Sequence, residues 1–343
     1  MKDILIIFTG GTIGSIEKNG IIAPDESAKA ELLEGYEREY GGRERFEIMS
    51  PFSILSENVS TSELAALCRL VEEYNKSYKG IIITYGSDTL SFATAFLGMA
   101  FKDRLQCPVV FVAANKPLSD RESNGFLNFS GAVWLIDYLS RSGFYNDVYA
   151  VWHDGSAFNA YRGVELTEAD AGSHNHSVFG GEPFAEFYPE GLNNTGDGYI
   201  WRTVINDKHE DRCGGYPDEE RRETFAKKGF EADEDRVAAI RMYPGINFDR
   251  IGLEGVKAVL AYGYHSGTFP CGEGAKNFYA FADRLKELGI RLYAAPFKRD
   301  ATAVYESAKD MGEFVIRLEE MSFEAAYAYV LVCEGGVTID GAK

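Results

Sequence analysis

Short, fully apolar runs alternate along the chain with longer amphipathic stretches. The first run, ILIIF at 4–8, ends in a glycine-rich turn. An Ala/Glu/Leu-rich stretch near 27–36 and TSELAALCRLVEEYNKSY at 61–78 have helical spacing, and GIIIT at 80–84 follows as a strand. DTLSFATAFLGMAF (88–101) and GFLNFSGAVWLIDYL (125–139) predict helices, while CPVVFVAA (107–114) and DVYAVWH (147–153) predict strands. Strands apolar on both faces, separated by helices, predict a parallel sheet covered on both sides.

From about 181 to 236 the pattern breaks into a charged stretch without clear period, DGYIWRTVINDKHEDRCGGYPDEERRETFAKKGFEADEDR. It resumes with RVAAIRMYPG, GVKAVLAYGYHSG, NFYAFADRLKELGI, RLYAAPF and MSFEAAYAYVLV. The expected organisation is α/β. A parallel-sheet N-terminal domain covers 1–190, a linker carrying an insertion covers 191–236, and a second, smaller α/β domain covers 237–343. A length of 343 residues suits two domains.

Composition narrows the partners. The net charge of −18, from 35 basic and 53 acidic residues, repels phosphate backbones and acidic lipids, so no nucleic-acid partner is expected. No apolar run reaches the roughly 18 residues that span a bilayer, so no membrane partner is expected either. MKDILIIF reads as a first strand rather than a signal peptide, which makes the cytoplasm the default compartment. Cys68, Cys107, Cys213, Cys271 and Cys333 are scattered without a C-x-x-C pair and read as reduced thiols.

In open α/β sheets, ligands sit beyond the carboxyl ends of strands at a topological switch point. IIFTGGTIGS, IIITYGSDTL and VVFVAANKPLSD each place a polar loop after a buried strand. Gly-Gly-Thr-Ile-Gly-Ser at 10–15 is not G-x-G-x-x-G, and neither a phosphate-binding G-K-[ST] nor a G-x-S-x-G elbow occurs. His174 and His176 form H-x-H without a framing carboxylate or cysteine cluster, so a solvated loop is the better reading than a metal site. What remains is hydroxyl chemistry. Adjacent glycines let backbone N–H groups approach a small ligand, and Thr12 or Ser87 could attack an amide carbonyl. Asp88 could pair with a substrate ammonium. The plainer alternative makes TGG a tight strand–helix turn and Ser87-Asp88 a helix cap.

Taken together, TGGTIGS, then YGSDTL some seventy residues later, then PVVFVAANKP resemble the bacterial-type L-asparaginase/glutaminase family, with its TGGTI and HGTDT motifs. GVKAVLAYGYHSGTFP and SFEAAYAYVL are similar to that family's small C-terminal domain. The resemblance implies hydrolysis of a small amide through an acyl-enzyme, without metal or organic cofactor. It makes Thr12 the nucleophile, with the oxyanion held by N–H groups near Gly11 and Ser87. Ser56 and Glu57 match the serine–glutamine pair that holds the substrate's amino-acid head, together with Asp88. Ala114 matches the alanine whose carbonyl faces the site, with Lys116 replacing an arginine. The family assembles as dimers or tetramers, the small domain of one protomer closing its partner's site; here Thr268 in YHSGTFP would take part.

The chain departs from the pattern at three places. The lid SIEKNGIIAPDE has no tyrosine, Ile21 standing nearest its position. Tyr85 replaces the histidine of HGTDT. AYRGVELTEADAGSHNHSVF lacks the family's lysine, and Glu168 is the residue aligned to it. These departures keep a second class of function open, an amino-acid-binding or sensor protein without turnover. The amidotransferase component that feeds ammonia to aminoacyl-tRNA also resembles this family. It normally carries an extra N-terminal domain, and a charge of −18 suits tRNA poorly.

Overall fold

The computed structural model describes residues 2–40, 45–143, 146–192, 199–206, 213–299, 305–309 and 311–335. The chain divides into two compact units, residues 1–210 and 211–343.

The first unit opens with β1 (Lys2–Phe8), then the hairpin β2 (Ser15–Lys18) and β3 (Ile21–Pro24), and helix α1 (Ser27–Tyr40). There follow β4 (Phe46–Met49), α2 (Thr61–Tyr74), β5 (Tyr78–Thr84), α3 (Leu90–Phe101) and β6 (Val109–Val112). α4 (Gly125–Ser142), β7 (Val148–His153), β8 (Phe158–Arg162), β9 (Ala185–Leu192) and β10 (Tyr199–Ile205) complete it.

Eight strands form one sheet in the order β10-β9-β8-β7-β6-β5-β1-β4. From β4 to β7 all pairings are parallel. Ile4, Ile6 and Phe8 alternate onto the face covered by Leu32 and Tyr36 of α1 and Phe129 and Ile136 of α4. α2 and α3 pack together, and α3 also packs on β7. Burial on both faces explains the near-continuous apolar runs of β1, β5 and β6. The sheet is not parallel throughout. β8 pairs antiparallel with β7, because only residues 154–157 separate them, too few for a crossover, and β9 and β10 add further antiparallel pairs.

From β1 the chain passes to β4 on one side, then through α2 to β5 on the other. The strand order therefore reverses between β1 and β5, and their carboxyl ends border the crevice where this architecture binds ligands.

The second unit contains α5 (Glu219–Lys227), β11 (Val237–Arg241), β12 (Ala258–Tyr262), α6 (Phe278–Glu287) and β13 (Arg291–Phe297). It ends with α7 (Glu306–Lys309), β14 (Val315–Glu319) and α8 (Phe323–Glu334). Its four strands are parallel in the order β11-β12-β13-β14. Its core gathers Val259, Leu292 and Phe281 with Phe248 and Met311. Within the stretch 191–236, β10 belongs to the first unit and α5 packs on α8 in the second. Residues 193–198 and 207–212 of that stretch lie outside the described residues. Among the described residues no helix is long and apolar enough to cross a membrane.

Candidate active site

The two glycines after β1 are required by what lies opposite them. Gly10 has φ 102° and Gly11 φ 68°, values that a side chain disfavours. A Cβ at Gly10 would lie 2.4 Å from the Ile54 carbonyl oxygen, and one at Gly11 2.4 Å from the Gly86 nitrogen. A Cβ on Gly86 would in turn lie 2.3 Å from Ser56 Oγ. Three loops, after β1, after β4 and after β5, thus meet at contact distances only glycine permits. All three lie at the β1/β5 crevice.

Hydrogen bonds lock this junction. The Gly11 N–H donates to Ile54 O (2.9 Å) and the Ile54 N–H to Thr9 O (2.9 Å). Buried Thr9 donates its hydroxyl to Thr84 O at 2.6 Å, tying the ends of β1 and β5 across 75 residues of sequence. Ser15 Oγ donates to Gly11 O at 2.7 Å, and the Gly14 N–H adds a second bond to that carbonyl at 3.0 Å. The expected role of Gly11 changes accordingly. Its N–H is spent on Ile54 and cannot hold an oxyanion; its contribution is the close approach itself.

Thr12 opens a short 3-10 turn, Thr12–Gly14, and is partly exposed. Among the described residues, neither its hydroxyl nor its N–H has a hydrogen-bond partner. Ser56 is buried, at 4% exposure. Its carbonyl accepts the Thr89 hydroxyl at 3.0 Å, so the second and third loops are joined as well. Glu57, next in line, is exposed. Ser87 is partly exposed and Asp88 exposed, and both keep their side-chain oxygens free of described partners. They do not cap α3: the cap position is Thr89, with no side-chain cap bond. The helix-cap reading of Ser87-Asp88 is therefore set aside.

Tyr85, in the place of the motif histidine, turns into the core edge-on to Phe111 at 5.6 Å between ring centroids. Its hydroxyl is buried and makes no hydrogen bond of normal geometry, although Thr89 lies close. Burial raises its pKa well above the ordinary phenol value, so it remains neutral.

The other expected residues fall as follows. Ala114 is fully buried just beyond β6. Lys116 is held on its own loop by Glu122 and by Asp120 at 3.6 Å. Glu168 is exposed, on the segment after β8. A carboxylate outside the expected set, Glu165, is buried on the same segment. Neighbouring Gly163 abuts α3, its carbonyl accepting the Thr94 hydroxyl at 3.2 Å. The signal for Glu165 in the sequence is the small and apolar company it keeps in GVEL. Thr268 belongs to the second unit, in a turn closed by the Tyr264 N–H donating to Thr268 O at 3.1 Å. Ile21 is 68% exposed on the β2–β3 hairpin, whose Asn19-Gly20 turn takes positive φ at both residues.

The H-x-H pair divides. His174 is exposed, whereas His176 is buried beside Trp152, its Nδ1 3.0 Å from Thr167 O, and burial lowers its pKa. The solvated-loop reading therefore fails for His176. Among the described residues no group of three or more His, Cys, Asp or Glu could hold a metal ion.

Known proteins share this architecture. Residues 3–173 match the family model "Asparaginase, N-terminal". A Glutamyl-tRNA(Gln) amidotransferase component from Aeropyrum pernix is 26% identical over 344 residues, covering 95% of this chain and 73% of that protein. The component of the same name from Thermoplasma volcanium is 31% identical over 137 residues, 38% of this chain and 33% of its own length. The thermostable L-asparaginase of Thermococcus kodakarensis shares the fold, with a TM-score of 0.72 at 20% identity over 98% of this chain and 93% of that one. The motif loops, the switch-point geometry and these likenesses agree, and the chain belongs to the asparaginase family as a divergent member.

Proposed function

We propose that the protein hydrolyses the side-chain amide of L-asparagine, giving aspartate and ammonia. The observation that carries this reading is the unpartnered Thr12 hydroxyl on a glycine-built junction at the switch-point crevice, beside free Ser87 and Asp88.

Thr12 Oγ1 attacks the amide carbonyl, the C–N bond breaks, and ammonia leaves with the hydroxyl proton. Water then attacks the resulting ester, releasing the acid and restoring the threonine. The N–H groups of Thr12 and Ser87, free of described partners, serve the oxyanion in place of Gly11. Ser56, Glu57 and Asp88 receive the amino-acid head, Asp88 pairing with the α-ammonium. Glu168 serves Ser87 as proton acceptor, a role that needs a path of about 3 Å, direct or through one water. A homo-oligomer, with Thr268 lying at a partner's site, completes the reading.

Glutamine is the second amide to consider, because a relative matched over 95% of this chain is named as an amidotransferase component for Glu-tRNA(Gln). An ammonia-release assay on asparagine, glutamine and simple amides decides. Asparagine turnover abolished by Thr12→Ala, with the fold intact by circular dichroism, supports the proposal. No ammonia from any amide, with aspartate still bound, replaces it with the binding-protein reading. Near wild-type activity in Thr12→Ala makes Ser87 the candidate nucleophile.

A further inference from the structure

We propose that a cleft over the carboxyl ends of β6 and β7 is a second binding site, for a small oxyanion of the carboxylate or phosphate class. The cleft encloses about 330 Å³ between the 115–124 loop, His153–Gly155 and Ser173–Asn175. That volume suits a small ligand. It opens on the same edge of the sheet as the β1/β5 crevice, but none of its lining residues belongs to that site.

Its walls are built. The Asn115 N–H donates to Asn124 Oδ1 at 2.9 Å and the Asn124 N–H to Asn115 Oδ1 at 3.0 Å. Asn124 Nδ2 donates to His153 O at 3.0 Å, fastening the loop to the end of β7. Asn175 Oδ1 accepts the Trp152 indole N–H at 3.1 Å. Each of these three amide oxygens thus accepts one hydrogen bond.

The carboxylates are committed too. Glu122 pairs with Lys116. Asp154 Oδ1 accepts the N–H groups of Ser156 (2.8 Å) and Ala157 (3.0 Å), and the Ser156 hydroxyl at 2.8 Å. Its Oδ2 accepts Asn159 Nδ2 at 3.0 Å.

The cleft also holds donors without such partners. Arg121 lines the cleft without an ion pair among the described residues. His153 Nδ1 accepts the Gly155 N–H at 3.2 Å, which leaves its proton on Nε2, and burial favours the neutral ring. His174 stands on the rim at φ 59°, with Asp170 as its charged neighbour. Because Asn124 spends its side chain on the clamp, α4 has no side-chain cap. The charged residues lining the cleft are one guanidinium, Arg121, and two carboxylates, Glu122 and Asp154, so recognition of an anion rests on donors placed by geometry rather than on net charge. An oxyanion would find a guanidinium and imidazole N–H groups able to make charge-assisted hydrogen bonds.

The chain has five histidines, so imidazole ¹H–¹³C spectra report the cleft directly. Inorganic phosphate and succinate are titrated separately at constant ionic strength, with His153→Gln and His174→Gln assigning the signals. The expected result is saturable shifts at His153 and His174 with one of the two anions, the tighter one naming the group. Arg121→Ala should weaken that binding about tenfold and Arg121→Lys by less. The proposal falls if neither anion moves those signals, if all histidines shift together, or if Arg121→Ala leaves the affinity unchanged. It also falls if both anions are silent while Arg121→Ala weakens self-association in sedimentation, which would make the cleft a seat for an acidic segment of a second copy.

Discussion

Substituting Gly11 by alanine tests the glycine junction most directly. The new Cβ would lie 2.4 Å from the Gly86 nitrogen and 2.5 Å from the Tyr85 carbonyl carbon, both backbone atoms that no rotamer change can move aside. Relief to ordinary contact needs the third loop to withdraw by about 1 Å. Alanine at φ 68° adds the left-handed penalty, about 1–2 kcal/mol, and overpacking adds about 1–3 kcal/mol. The expected destabilisation is thus about 2–5 kcal/mol, a fall in Tm on the order of 10 °C. A shift of that size between Thr12 and Ser87 should cost about 100-fold in kcat/KM. Gly143→Ala is the control: it shares a positive φ, 72°, but a Cβ there meets nothing within 4 Å. It should show only the backbone penalty and full activity. The assays are thermal unfolding and ammonia release from asparagine. If Gly11→Ala matches Gly143→Ala in both, the close approach of the loops is not what organises the site.

Asp88→Asn should weaken aspartate binding at least about tenfold by calorimetry, with deaminated analogues indifferent, since it removes a charge-assisted hydrogen bond of about 1.5–3 kcal/mol. Glu168→Gln should lower kcat and flatten the acid limb of the pH profile; if Glu165→Gln does so instead, the buried carboxylate is the proton acceptor. Burial depresses the His176 pKa below its ordinary 6.5, so the unfolded chain binds the extra proton first. Stability should therefore be full above about pH 6.5 and fall as the solution is acidified below it, with a shallower slope in His176→Gln. Sedimentation should give at least a dimer, and Thr268→Lys should impair activity; a fully active monomer at micromolar concentration would refute the shared site.

The strands of the first sheet were legible because burial on both faces writes itself as ILIIF, GIIIT and PVVFV. The site loops were legible as motifs, but the reason for their glycines was not. Whether Gly11 must lack a side chain depends on Gly86, and Gly86 depends on Ser56, contacts made only once the strand order reverses. The antiparallel turn after β7 was legible in principle, since Asp154-Gly155, a turn dipeptide, stands just before FNAYR. The hairpin is closed by Asp154 accepting from Ser156 and Ala157. His176 looked solvated because polar residues surround it in sequence, yet Trp152 covers it from a strand more than twenty residues earlier.

Helix termini, compared across the chain, bear on both clefts. α2, α5, α6 and α8 are each capped by a Ser, Asp or Asn side chain, as their sequences lead one to expect. α3 is preceded by Ser87, Asp88 and Thr89, three residues of cap-forming type, and none of them caps it. Thr89 turns its hydroxyl to Ser56 O instead, and Ser87 and Asp88 stay free. α4 follows Asn124, another cap former, which is diverted to Asn115 and His153. Each diversion forgoes a cap worth about 1 kcal/mol. Local rules that fail while the residues to satisfy them are present mark places where another demand prevails. Here the two failures fall on the loops after β5 and β6, one beside Thr12 and the other on the wall of the anion cleft.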